Sequence, residues 1–109
     1  MAVMEIARLT CRSGRGDEFV EALKKGLSVQ AEDPECLDIW FQRGVENPEE
    51  FLLHLIWTSI ETHDAWRAAH RDRWRSHIVD LLEGLPQLLG HYQLAAVVKG
   101  EIGAPAATP

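Results

Sequence analysis

The run Phe51-Leu52-Leu53-His54-Leu55-Ile56-Trp57 constrains this chain more than any other segment. It is too short for a helix of ordinary length and suits a strand. Neighbouring side chains on a strand point to opposite faces, and here both faces are apolar apart from His54. A sheet built around it must therefore be covered on both sides. The chain has 109 residues, enough for one core but not for a core plus a deep, fully enclosed cavity.

The flanking segments supply that sheet. Val3–Arg12 has apolar residues with charged ones between them and predicts a first strand, broken by Ser13-Gly14-Arg15-Gly16. Phe19, Val20, Leu23 and Leu27 recur at helical spacing, with Asp17 and Glu18 at the positive end of the helix dipole. That helix is expected from Asp17 to about Ala31, stopping before Asp33-Pro34. Cys36–Val45 alternates Leu37, Ile39 and Phe41 with Asp38, Trp40 and Gln42, as a strand does, and the short turn Glu46–Glu50 makes it a hairpin with the segment from Phe51 to Trp57. Thr58 and Glu61 have capping-box spacing. The helix they open is expected to reach about Glu83, with a bend near Arg71–Arg73, before Gly84 and Pro86 end it. His91–Lys99 reads as the last strand, and Gly100–Pro109 as a disordered tail.

The order β-α-β-β-α-β predicts an α+β, ferredoxin-like domain over residues 1–99, a four-stranded antiparallel sheet with two helices on one face. The other face then needs a second subunit, so a two-fold homodimer is expected.

Composition excludes several classes. The net charge is −6, from 11 basic and 17 acidic residues, which argues against nucleic acid. The basic stretch Arg67–Arg75 reads as a solvated helix face. No apolar run is long enough to span a membrane, and no secretory leader is evident, so a cytoplasmic protein is expected. Cys11 and Cys36 read as reduced strand residues.

The second helix carries the chemistry. At 100° per residue His63, Trp66, His70, Trp74, His77 and Leu81 fall within an arc of about 80°, facing inward. An ordinary core stripe is aliphatic, whereas this one brings imidazole and indole nitrogens that need partners when buried. The histidines lie seven residues apart, about 10.5 Å along the helix, too far for two to share one metal ion. With no CxxC spacing either, the protein is expected to need no metal, though one axial histidine to heme is compatible with the stripe.

Glu46, Pro48, Phe51, Leu53, Trp57, Ser59 and His63 follow a pattern similar to one common in the antibiotic-biosynthesis-monooxygenase family, of the dimeric α/β-barrel superfamily. The resemblance spans residues 3–99. It implies cofactor-independent oxygenation of a small electron-rich aromatic, such as an anthrone, quinol or polyketide-like compound, with O2 as co-substrate. By that resemblance His63 or His70 is the base, with Trp66 beside it as a catalytic residue. Arg43, Trp57, Trp74 and His77 hold the substrate. The chain departs from the pattern at Leu55, where relatives often carry an acidic residue. Heme-degrading relatives resemble it at Trp66 and at a histidine matching His77 or His70, but their first-strand asparagine is replaced by Ala7. Isomerases, cyclases and non-catalytic ligand-binding domains share the scaffold.

Overall fold

The computed structural model describes residues 2–100. The elements run β1 (Val3–Thr10), α1 (Gly16–Gln30), β2 (Cys36–Arg43), β3 (Glu50–Trp57), α2 (Ile60–Arg75), a short 3-10 turn (Val79–Leu81) and β4 (Gln87–Tyr92). The four strands form one antiparallel sheet in the order β2-β3-β1-β4. This is the ferredoxin-like arrangement that the sequence predicts.

Alternation along the two central strands defines the faces. Val3, Glu5, Ala7, Leu9 and Cys11 of the β1 segment are buried, as are Phe51, Leu53, Leu55 and Trp57 of β3. Phe19, Leu23 and Leu27 of α1 and His63, Trp66 and Trp74 of α2 are buried with them. Met4 and Ile6 of β1 and Leu52, His54 and Ile56 of β3 point the other way and are only half-buried. The helices meet closely at Gly26, where an added Cβ would lie 2.8 Å from the Trp74 carbonyl oxygen.

Three boundaries differ from the sequence expectation. The cap of α2 is Ser59, whose hydroxyl accepts from the Thr62 amide at 3.1 Å while the Thr62 hydroxyl accepts from the Ser59 amide at 3.2 Å. Thr58 instead donates to the Glu35 carboxylate, which removes it from capping. Helix α2 also ends at Arg75, short of Glu83. Beyond it the chain is drawn onto the end of β1: Arg12 donates to the Leu81 carbonyl at 2.8 Å, and Glu83 donates to the Thr10 carbonyl at 2.8 Å.

That docking brings the chain to the sheet edge early, so the last strand is Gln87–Tyr92 and not His91–Lys99. Strand β4 also contains a bulge. Ala7 pairs with Leu88 and Glu5 with His91, so two steps on β1 match three on β4. Gly90, at φ +139°, absorbs the irregularity in a conformation that residues with a Cβ rarely adopt. The predicted tail from Gly100 onward lies almost wholly outside the described residues.

Candidate active site

The register places three ionisable groups together. Glu5 on β1 and His91 on β4 are direct cross-strand partners. Without the bulge, His91 would fall on the opposite face from Leu88; the extra residue turns it toward the helices. His63, one turn into α2, descends onto the same point. Its ring is 1% exposed and stacks on Trp57 at 4.9 Å and 20° between planes.

The distances are short. His63 Nδ1 lies 2.7 Å from Glu5 Oε2 and 3.2 Å from His91 Nε2, and His91 Nε2 lies 3.6 Å from Glu5 Oε2. Despite that proximity, the buried Glu5 Oε2 has no hydrogen-bond partner of acceptable geometry. Burial pushes the Glu5 carboxyl up to about 7, against a lowering by Arg67 and a further rise from Asp64. Burial likewise pushes His63 down to about 4, helped by the charges of Arg67 and His91. Both shifts favour a neutral carboxyl beside a neutral imidazole.

A cavity of about 110 Å³ lies between the sheet and the helices beside this cluster. Glu5, His63, Gln30, Trp74 and Leu88 line it, and Arg67, Arg71 and Arg75 stand along one side. These arginines repeat every four residues, so they share one flank of α2. Part of the basic stretch expected to be only a solvated face is therefore cavity wall. The Arg75 Nε and the Gln30 Oε1 are both buried without partners. Buried polar atoms normally find partners, so two residues of the cavity wall carry an unused donor and an unused acceptor.

The residues selected from sequence are distributed unevenly. His63 and Trp74 face the cavity. Trp57 and Trp66 are buried behind it, with ring centroids 6.0 Å apart, and Trp57 supports His63. His70 sits half-exposed on the outer flank, 3.3 Å from Arg73. His77 lies past the end of α2 and is exposed. Arg43 is at the far end of the sheet, where it pairs with Asp17 at 2.7 Å and lies over the Phe51 ring. Sequence reading missed Glu5, Gln30, His91 and the three arginines. Glu5 carried a signal, a carboxylate on the same strand face as Val3, Leu9 and Cys11. His91 carried none, because the bulge sets its direction.

The profile of the family described as antibiotic biosynthesis monooxygenase matches residues 2–83. The chain belongs to this family. Among solved structures, a Bordetella bronchiseptica protein that carries the family's name is 22% identical, with a TM-score of 0.78 over 87% of this chain and 98% of that one. One from Bacteroides thetaiotaomicron carrying the same name is 17% identical, with a TM-score of 0.70 over 92% and 96% of the two chains. Rv0793 from Mycobacterium tuberculosis is 16% identical, with a TM-score of 0.70 over 91% and 100%. At these identities the likeness shows the fold. Among curated proteins no match was found.

Proposed function

We propose that this family member is a monooxygenase of a small electron-rich aromatic, with the reacting end of the substrate in the cavity beside Glu5, His63 and His91. One observation carries this reading: a buried carboxyl with an unpartnered oxygen stands on the wall of a cavity, with an imidazole 2.7 Å away. The arrangement offers a proton acceptor and a second group to share the charge.

The net reaction for an anthrone-like substrate needs no external reductant. Two C–H bonds of a ring methylene break and a C=O bond forms. One oxygen atom enters the product and the other leaves as water with the two hydrogens. The carbon centre supplies all four electrons. The protein must then bind the ring, help remove the first proton and stabilise the oxyanion that results. Glu5 and His63 stand where that proton is lost, while Gln30 and Arg75 offer unused polar atoms to the ring oxygens. An engineered cavity of about 150 Å³ accepts benzene. A space of about 110 Å³ therefore suits one ring edge, the remainder of the molecule lying along Arg67 and Arg71.

The active form in this reading is a homodimer. The helices cover one face of the sheet, while Met4, Ile6, Trp40, Leu52 and Ile56 lie on the other. Leu94, Val97 and Val98, which follow β4, are exposed apolar residues that a second copy would also cover.

Oxygen consumption measured with a panel of anthrones and quinols tests the reaction. The expected result is one O2 consumed per product, with a loss of about 10²-fold or more in turnover for His63→Ala. Product formed without oxygen would assign the site to an isomerase or cyclase. Tight binding without turnover would make the domain a ligand carrier.

A further inference from the structure

We propose that Glu5 Oε2, His63 Nδ1 and His91 Nε2 form a binding site for a first-row divalent cation, with its open positions facing the cavity. The expectation of no metal rested on the histidine spacing along one helix and on the absence of a CxxC pair. The fold instead assembles its donors from β1, α2 and β4.

The geometry supports one ion. Donors about 2.0–2.2 Å from an ion, at tetrahedral or octahedral angles, lie about 2.8–3.6 Å from one another. The three separations here are 2.7, 3.2 and 3.6 Å. All three atoms are the kind that carry lone pairs toward a metal, and they come from two imidazoles and one carboxylate. That donor set suits iron(II), zinc or manganese and leaves positions open for other ligands.

Hydrogen bonding among the three accounts for the cluster less completely. With Glu5 ionised and the proton on His63 Nδ1, that nitrogen has one hydrogen for two neighbours, Glu5 Oε2 and His91 Nε2. The Glu5 oxygen, on a residue 7% exposed, is the atom left without a partner. A single cation meets all three at once.

The surroundings also fit. Trp57 stacked on His63 fixes the imidazole plane, and the bulge at Gly90 brings His91 to the inward face. Arg67 opposes a cation here; Asp64 and the Glu5 carboxylate favour it. Glu5 and His63 both line the cavity, so the open positions of the ion would be on its side.

This inference deepens the monooxygenase reading and rests on it only for its purpose. Coordination acidifies a bound hydroxyl, so a cation would change how the substrate proton is lost and leave the net oxygenation unchanged.

The test is metal binding itself, on the intact chain. Protein freed of metal by chelator would be titrated with cobalt(II), following visible absorption and stoichiometry, and then with zinc(II) in competition. The expected result is one ion per chain, displaced by zinc. Glu5→Gln and His91→Ala should each weaken it by at least about 10²-fold, since loss of an outer-shell partner alone costs 10- to 100-fold. His77→Ala, at an exposed histidine away from the cluster, should bind like the parent. Thermal unfolding of each metal-free variant identifies any that fail to fold, and His91, on the edge strand, remains informative if Glu5→Gln does not. Absence of stoichiometric binding, or binding unaffected in folded His91→Ala, overturns the proposal. Oxygen uptake is scored separately: metal binding without turnover would sink the oxygenase reading alone, and turnover without metal binding would sink the cation site alone.

Discussion

At the scale of single residues, two histidines that the helical arc treats alike have different surroundings. His63 is buried against Glu5 and Trp57, whereas His70 lies half-exposed beside Arg73. In metal-free protein, His63→Ala leaves buried polar groups without a neighbour and is expected to cost about 1–3 kcal/mol. His70→Ala should stay within about 0.5 kcal/mol, as surface changes do. Denaturant unfolding of the two variants checks this; equal losses would mean that His70 is as firmly built in as His63. Both thiols are also expected to be sluggish. Burial raises Cys11, and burial together with Asp33 and Asp38 pushes Cys36 up to about 11. A thiol is reactive only as thiolate, so iodoacetamide at pH 8 should alkylate Cys36 at least about a hundred times more slowly than free cysteine. Mass spectrometry of a timed reaction reads the rate directly, and a rate like that of free cysteine would contradict the burial.

At the scale of elements, the strongly periodic segments were legible and the ends were not. The faces of β1 and β3, the span of α1 and the hairpin follow from alternation and from turn chemistry within a few residues. The end of α2 depends on residues 81–83 docking against β1, a contact some seventy residues apart in the chain. No local pattern encodes it. The same holds for β4, whose register is set by the bulge and not by its own alternation. The site was legible to the same degree: His63 and Trp74 lie on a helix with a clear period, while the arrival of His91 beside Glu5 is a property of strand pairing. Gly90 supplies the test. At φ +139° an alanine is strained, and Gly90→Ala should cost about 1–3 kcal/mol. Because a Cβ there meets nothing closer than 3.6 Å, crowding adds little. If thermal unfolding is unchanged, the backbone at this position is not held as described.

At the scale of the whole molecule, the sheet is finished on one face only. A homodimer is expected, burying about 1,600 Å² or more, and sedimentation at micromolar concentration checks it. A stable monomer would leave Met4, Ile6, Leu52 and Ile56 in water without explanation. Among the described residues no helix is long and apolar enough to cross a membrane. Strand β4 is at the sheet edge and leads directly into the apolar residues 94–98, so whatever packs there bears on the strand that carries His91. That strand holds one residue more than its neighbour's spacing requires. Its chemistry thus depends on that extra residue standing out of the ladder. Remove Leu89, and the ladder closes without a bulge: Leu88 still faces Ala7 and His91 still faces Glu5, whereas keeping Leu89 but pairing it regularly would turn the imidazole away from Glu5. Relatives that are one residue shorter at this point should therefore still present an inward residue opposite Glu5, and alignments that place the gap beyond His91 would assign that position to the wrong residue.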